Sequence, residues 1–306
     1  MFVWMVACFM ACQALHAAPE VLDATEHEFC QIIEIVQKNH LNPVTEDDLG
    51  NFFPEPFDCK SMYQNLKLIA EGKKVDPEHF ILKRLSWFVS SLDPYSQYLW
   101  QKEEISKIQR KENQYELIRN KIGYVKLKQF HADTFEEFLK HYETWKKEKT
   151  FRSLVLDLRK SEGGHLLPAV NLLEAMLDVE QLFLVKTKDA LHVVPDERLK
   201  VVNCPMLILV DENTKSAAEL LAAVLQFHGR AKVIGQKTFG KGTTQTVWNF
   251  DYPWNDSSRM LLVTTSLNVL PNGRTYHEHG VLPDITLDLP KDIHAVIQKL
   301  IQLNFI

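Results

Sequence analysis

The stretch from Asp211 to Gln245, DENTKSAAELLAAVLQFHGRAKVIGQKTFGKGTTQ, and the apolar run before it decide the fold of this chain. That run, PMLILV at 205–210, has the length and composition of a strand buried on both faces. A helical pattern follows at 217–227, then a short strand at 231–234 and a glycine-rich loop at 235–242. These elements predict a parallel strand–helix–strand unit whose strand ends meet at one edge of the sheet.

Ser216 and Lys241 lie just beyond the two strands, so we expect the unit to bring them to the same edge. Two interpretations of the serine are open. Ser216-Ala217-Ala218-Glu219 fits a capping box, in which a serine and a glutamate satisfy the first amides of a helix. Lys241 would then be a solvated loop residue. Alternatively, Ser216 is a nucleophile and Lys241 is its base.

The surrounding residues favour the second interpretation. NTKSAAELLAAVLQFHGR at 213–230 and KTFGKGTTQ at 237–245 resemble the C-terminal processing (tail-specific) peptidases, which are serine/lysine proteases. The resemblance implies that Ser216 attacks the substrate, that Lys241 takes its proton and that Gln245 hydrogen-bonds the lysine. It also implies that the reaction needs no metal and no organic cofactor.

The proposed pair places a chemical demand on its surroundings. A serine hydroxyl is a weak nucleophile unless a base takes its proton, and a lysine can do so only as a neutral amine. The pKa of a catalytic lysine must therefore be lowered from roughly 10.4, which burial achieves. Val233, Ile234 and Phe239 are expected to provide an apolar setting for Lys241.

A second loop is expected at the same edge of the sheet. The strand pattern SLVLDL at 153–158 leads into a loop that contains Gly163 and Gly164. Taken alone, paired glycines after a strand indicate a turn. The segment resembles the family's Leu-Asp-Leu-Arg-x-Asn-x-Gly-Gly loop, with Ser161 in place of the asparagine. The resemblance implies that the backbone amides of Gly163 and Ala217 form the oxyanion hole, because backbone amides stabilise a developing oxyanion.

Strand and helix patterns alternate through most of the chain from Ile122 onwards. Near the end, PNGR at 271–274 and GVLPD at 280–284 resemble the closing phrases of the same family. These patterns and the resemblance predict an α/β (α+β) fold, with a ClpP/crotonase-like sheet-and-helix protease core at 122–306.

The residues before this core predict a small helical N-terminal domain at 19–106, with one helix opening at Pro77. The phrase SLDPYSQYL at 91–99 resembles the family's Leu-Asp-Pro-His-Ser-x-Tyr-Leu signature, with Tyr95 in place of the histidine. The family carries a PDZ domain between this signature and the core. Here a linker or charged helix is expected instead, at 107–121, so capture of a substrate tail by a PDZ domain is in doubt.

The first residues predict export. Met1 to Ala18 contains no Asp, Glu, Lys or Arg and ends in small residues. This pattern predicts a signal peptide at 1–18, cleaved near Ala17 or Ala18, and hence a periplasmic or equivalent location. A retained membrane anchor, lipid attachment at Cys8 or Cys12, and a buried helix are the alternatives.

Three cysteines follow the predicted leader. A Cys30–Cys59 bridge is compatible with export and with the position of both residues in the N-terminal region. Cys204 precedes a buried strand and is expected to be a free core thiol. His277 and His279 have strand-like spacing but lack a third metal ligand, so no metal site is predicted.

Two further residues, Lys215 and His228, are candidate alternative partners of Ser216. Lys215 is expected to be exposed, because neighbouring side chains diverge at the start of a helix. His228 lies at the far end of the helix from Ser216, so a structural role is expected rather than a serine–histidine pair.

The sequence as a whole predicts an exported serine endopeptidase that cleaves unfolded or exposed C-terminal polypeptide segments. A net charge of −5 argues against nucleic acid as the partner. The partner expected is a polypeptide substrate, with an adaptor or a second copy of the chain as further candidates. The alternative function is a non-catalytic binding or regulatory module on the same fold.

Overall fold

The structure is a computed structural model that describes residues 24–101, 109–197, 200–250 and 259–306. The predicted signal peptide at 1–18 lies outside these residues. In the described part of the chain, no helix combines the length and the apolar character that crossing a bilayer requires. The chain divides into two compact units: a larger one of residues 109–186, 190–244 and 267–306, and a smaller one of the residues before 109 with 187–189 and 245–266.

The secondary structure alternates between helices and strands. The described helices are α1 (Ala24–Asn39), α2 (Glu46–Gly50), α3 (Cys59–Gly72), α4 (Pro77–Leu92), α5 (Thr134–Trp145), α6 (Leu166–Met176), α7 (Ala217–Phe227) and α8 (Ile293–Gln302). The described strands are β1 (Gln97–Leu99), β2 (Gln114–Ile118), β3 (Ile122–Lys126), β4 (Ser153–Asp157), β5 (Gln181–Thr187), β6 (Leu191–Pro195), β7 (Met206–Val210), β8 (Lys232–Gly235), β9 (Thr243–Phe250), β10 (Arg259–Val269) and β11 (Ile285–Thr286).

The larger unit is built on a six-stranded sheet in the order β11-β8-β7-β4-β3-β2. Every neighbouring pair from β11 to β3 is parallel, and β2 is antiparallel to β3. Helices α5 and α7 connect β3 to β4 and β7 to β8. The strand–helix–strand unit predicted around Ser216 is therefore present, and the α/β class is confirmed.

The apolar strands supply two hydrophobic cores because successive side chains of a strand point to opposite faces of the sheet. In β7, Ile208 and Val210 belong to the core that includes α5, α6 and α7. Leu207 and Leu209 belong to the core on the other face, with Val296 and other residues of α8. Burial on both faces explains why this strand is apolar throughout.

The segment predicted as a linker or charged helix at 107–121 contains an edge strand. Its residues from Gln114 to Ile118 form β2, and Ile118 is paired with Ile122 of β3. The connecting turn places Arg119 and Asn120 at positive φ, 51° and 53°. Because neither residue is a glycine, this turn lacks the usual sequence signal of a hairpin.

The smaller unit is mainly helical and has a core of its own. Helices α1, α3 and α4 pack around a cluster of buried aromatic residues that includes Phe29 and Phe88, together with Leu261 of β10. Cys30 and Cys59 form a disulfide that joins α1 to α3, as the sequence suggested. Helix α4 begins at Pro77, and the Asp76 carboxylate caps it by accepting from the amide of His79 at 2.8 Å.

Candidate active site

Ser216 occupies the turn between β7 and α7. Its backbone angles, φ 56° and ψ −122°, are a combination that residues other than glycine rarely adopt. In α/β-hydrolases a strained strand-to-helix turn of this kind exposes the nucleophile. Thr214 fixes the turn, because its hydroxyl donates to Leu158 O at 2.9 Å and its amide donates to Asp211 O at 3.0 Å.

The capping box at this turn accounts for only part of its geometry. Glu219 Oε2 accepts from the Ser216 amide at 3.0 Å, as a capping glutamate should. An N-cap residue normally has an extended backbone, so the positive φ of Ser216 is not a requirement of capping.

Gly163 lies directly against this turn. A methyl group at Gly163 would lie 2.7 Å from Ser216 Cβ and 3.0 Å from the amide nitrogen of Ala217, and φ at Gly163 is +79°. The same loop is held to the turn by a hydrogen bond from the Lys215 amide to Ser161 O at 2.9 Å. The structure therefore brings Gly163 against both Ser216 and the amide of Ala217, and only glycine fits at position 163.

The loop that carries Lys241 also contacts the serine turn. The amide of Phe239 donates to Thr214 O at 3.1 Å. The amide of Lys241 donates to Glu219 Oε2 at 2.8 Å, the oxygen that also accepts from the Ser216 amide. Because both bonds end on one atom, the backbones of Ser216 and Lys241 are close neighbours.

His277 supports the lysine loop and was not identified from the sequence in that role. Its Nδ1 lies 3.2 Å from Gly240 O and 3.4 Å from the Gly242 amide nitrogen, on either side of Lys241. The Glu278 amide adds a hydrogen bond to Gly240 O at 2.8 Å. In the described part of the chain, no group of three or more His, Cys, Asp or Glu residues is arranged to hold a metal ion.

One expectation about the surroundings of the serine was wrong. Lys215 is half-buried rather than exposed, because its ammonium lies 4.6 Å from the ring centroid of Phe239. Phe239 itself is 48% exposed, and Lys241 is half-buried. Val233 and Ile234 are fully buried, as expected.

His228 and Arg230, at the end of α7, have structural roles. His228 Nε2 lies 3.1 Å from Leu182 O at the end of α7. The guanidinium of Arg230 donates to three carbonyl oxygens, which belong to Met176, Val202 and Cys204. The structural role predicted for His228 is therefore confirmed.

Gln245 belongs to the smaller unit, where a chain of hydrogen bonds orients its amide. Gln245 Nε2 donates to Thr264 Oγ1 at 3.1 Å, and Thr264 Oγ1 donates to Asp93 Oδ1 at 2.9 Å. Asp93 Oδ2 lies 2.9 Å from His40 Nε2. Since the single proton of Thr264 goes to a carboxylate, its oxygen must accept from Gln245, which points the NH₂ group at Thr264 and the carbonyl oxygen elsewhere.

The buried His40–Asp93 pair favours charge on both partners. Burial opposes ionisation of Asp93, but hydrogen bonds from His40, Ser96, the Tyr95 amide and Thr264 outweigh it and hold the pKa of Asp93 well below its usual range. Burial also opposes the charged form of His40, yet its bonds to Asp93 and to the Asn42 carbonyl raise the pKa of His40 above its ordinary value. Asp93 comes from the SLDPYSQYL phrase, so part of that phrase serves to orient Gln245.

Comparison with known proteins gives consistent matches. A family model described as peptidase family S41 matches residues 121–287. A probable CtpA-like serine protease of Staphylococcus aureus is 33% identical over 177 residues, which are 56% of this chain and 34% of that protein. A carboxyl-terminal-processing protease of Picosynechococcus is 33% identical over 165 residues, 54% of this chain and 38% of that protein. The chain thus spans well under half the length of these two relatives.

The fold has solved counterparts. The structure of a photosystem II D1 C-terminal processing protease matches with a TM-score of 0.65 at 16% identity, over 90% of this chain and 97% of the other. This match agrees with the fold predicted from the sequence.

Proposed function

Since the chain belongs to peptidase family S41, we propose that it is a serine endopeptidase in which Ser216 is the nucleophile and Lys241 is the general base. Ser216 attacks the scissile carbonyl while the neutral amine of Lys241 takes its proton. Protonated Lys241 then gives this proton to the leaving amine, which departs and leaves an acyl-enzyme. Water attacks the acyl-enzyme as it gives a proton to the now neutral Lys241, and the lysine returns that proton to Ser216 as the second product leaves.

The observation that carries this proposal is the contact between Gly163 and the serine turn. A methyl group at Gly163 would lie 2.7 Å from Ser216 Cβ and 3.0 Å from the Ala217 amide nitrogen. Two backbone amides beside a nucleophile are suited to stabilise the oxyanion of a tetrahedral intermediate. A capping serine has no need of such a loop against it.

Gln245 is the third proposed catalytic residue. It stands at the position of the residue that, in the family this sequence resembles, hydrogen-bonds the catalytic lysine. In the described structure its Nε2 donates to Thr264 Oγ1 at 3.1 Å.

The proposed substrates are unfolded or exposed C-terminal segments of polypeptides, met after export to the periplasm or an equivalent compartment. The name of the Picosynechococcus relative, a carboxyl-terminal-processing protease, supports this substrate class. The predicted signal peptide at 1–18 and the Cys30–Cys59 disulfide support export. We also propose an adaptor or a second copy of the chain as further partners. A membrane anchor is the proposed alternative to a cleaved leader.

The test is cleavage of an unfolded protein by the mature chain and by its Ser216→Ala and Lys241→Ala variants. Wild-type cleavage that both substitutions abolish is the expected result. Ser153→Ala, at the start of β4, and Lys237→Ala, on the exposed part of the lysine loop, are matched controls that should cleave like the wild type. Folded wild-type protein that cleaves nothing would contradict the proposal and favour the binding module.

A further inference from the structure

The carboxylate of Glu219, in the first turn of α7, is a buried junction between the two halves of the proposed site. Its side chain is fully buried. Oε1 accepts from the Thr238 hydroxyl at 2.5 Å and from the Gly240 amide at 2.6 Å. Oε2 accepts from the Ser216 amide at 3.0 Å and from the Lys241 amide at 2.8 Å.

A capping box requires only one of these four bonds. In a capping box the glutamate reaches back to the N-cap amide, which here is that of Ser216. The other three donors belong to the loop from Thr238 to Lys241, which follows the next strand of the sheet. Burying a carboxylate is unfavourable unless its hydrogen bonds are made, and none of the four donors is a charged side chain. The three bonds to the loop therefore indicate a role beyond helix capping.

We propose that Glu219 is a positioning residue, which holds the backbone of Lys241 at a set distance from the backbone of Ser216. This inference rests on the proposed serine/lysine mechanism. The proton transfer requires the amine and the hydroxyl to meet, and a displacement of about 1 Å can lower a rate by about 100-fold. Since one oxygen atom bonds both amides, any movement of the lysine loop away from α7 breaks a bond to Glu219.

The loop is held to neighbouring segments as well, by contacts with residues 278–281 and by the hydrogen bond from the Phe239 amide to Thr214 O. The Thr238 hydroxyl accepts from the Val281 amide at 2.7 Å while it donates to Glu219. Gly240 has φ +101°, and a methyl group there would lie 3.0 Å from the amide nitrogen of Gly280. These contacts attach the loop to residues 278–281, while Glu219 attaches its Gly240–Lys241 backbone to the helix that begins after Ser216.

The test is Glu219→Gln. Glutamine keeps the size of the side chain, but one oxygen becomes an NH₂ group, which would face two hydrogen-bond donors in either orientation. We expect kcat to fall about 100-fold, with KM changed less than about threefold, because the displaced group is the base and not the substrate-binding surface. Labelling of Ser216 by a fluorophosphonate probe should slow in parallel.

Glu174→Gln is the matched control. Glu174 is a buried glutamate of α6 whose carboxylate accepts from the Glu197 amide at 3.3 Å. A general cost of burying glutamine in place of glutamate would appear in both variants as lower stability. Only Glu219→Gln should lower kcat. Folded Glu219→Gln protein with the kcat of the wild type would overturn the proposal.

Two further measurements keep the outcome clear. Thr238→Val removes one donor to Glu219 and keeps the shape of the side chain, so it replaces Glu219→Gln if that variant does not fold. The kcat of Thr238→Val should fall about tenfold. An unchanged kcat would overturn the proposal. Amide hydrogen exchange in a Ser216→Ala background needs no activity. Faster exchange at Gly240 and Lys241 on substitution of Glu219 supports the link even if the peptidase proposal fails, and unchanged exchange refutes the link.

Discussion

Three residues, Ser216, Gly163 and Glu219, set the backbone geometry and the hydrogen bonds of the serine turn. Ser216 has a positive φ, and Gly163 leaves room for the loop that contacts it. Glu219 satisfies the amide of Ser216 and the amide of Lys241 with one oxygen. A different residue at any of these positions would therefore disturb either the backbone geometry or the hydrogen bonds of the turn.

Gly163→Ala should abolish most of the activity. The methyl group would lie 2.7 Å from Ser216 Cβ, and alanine disfavours φ +79°, so the loop must move and the proposed oxyanion donor moves with it. We expect kcat/KM to fall at least about 100-fold and the free energy of unfolding to fall by about 1–3 kcal/mol. Cleavage assays and urea unfolding measure the two effects.

Gly72→Ala is the control for that substitution. Gly72 ends α3, and a methyl group there would meet nothing within 4 Å. Activity should be unchanged and stability equal or higher by up to about 1 kcal/mol. A Gly163→Ala variant that behaved in the same way would exclude the oxyanion role of Gly163.

Thr264→Val tests the orientation of Gln245. The substitution removes the oxygen that accepts from Gln245 Nε2 and the hydroxyl that donates to Asp93. We expect a loss of about 1–3 kcal/mol in the free energy of unfolding, and a fall of about tenfold in kcat because the Gln245 amide loses a hydrogen bond that orients it. Thr246→Val, which removes an exposed hydroxyl bonded to Thr265, is the control and should change neither quantity. Equal kcat values in the two variants would separate Gln245 from the mechanism.

Elements rather than single residues decide where these groups lie. The ends of the parallel strands β4, β7 and β8 bring the glycine loop, the serine turn and the lysine loop to one edge of the sheet. In the smaller unit, the end of α4 places Asp93 between His40 and β10. The junction of α4 and β10 therefore depends on a buried charged pair.

The stability of that junction should depend on pH. The folded pKa of His40 is raised, so protonated His40 stabilises the fold below its unfolded pKa of roughly 6.5, and this contribution is lost as pH rises through the folded pKa. The folded pKa of Asp93 is lowered, so its contribution is present above roughly pH 4 and lost as pH falls. Wild type and His40→Gln should differ most in free energy of unfolding near about pH 5 and less above about pH 7.

Urea unfolding at several pH values measures this difference. His294→Gln, at an exposed position of α8, is the control and should show no such dependence. A difference between wild type and His40→Gln that grew with rising pH would contradict the assignment of charge to the pair.

At the scale of the whole molecule, the bonded or free state of each cysteine indicates the compartment in which the protein folds. Cys30 and Cys59 are bonded, and Cys204 is free. Cys8 and Cys12 belong to the predicted leader. A count of the free thiols therefore tests export, leader cleavage and disulfide formation together.

Unfolded protein from the periplasmic fraction of an expressing cell should contain one reactive thiol, and three after reduction, because cleavage removes Cys8 and Cys12. Thiol titration with mass spectrometry of the intact chain measures both numbers. Protein kept in the cytosol serves as the control and should keep Cys30 and Cys59 reduced. Five thiols after reduction of the exported protein would show that the leader is retained.

The sequence by itself determined the strand–helix–strand unit and the helices of the smaller unit. Apolar runs, helical periodicity, Asp76 and the proline at Pro77 are local signals, and local signals survive without knowledge of the rest of the chain. The same local logic failed at β2, where a hairpin turn of Arg119 and Asn120 lacks the usual glycine.

Only the tertiary structure decided which groups meet. The three donors of the lysine loop on Glu219, the contact of Lys215 with Phe239 and the chain from His40 through Asp93 and Thr264 to Gln245 join residues far apart in sequence. No periodicity encodes such contacts, because a hydrogen bond depends on distances of a few tenths of an ångström that are set by the packing of whole elements. The sequence therefore allowed the residues of a site to be proposed, and the packing of the sheet edge decided how their backbones are held.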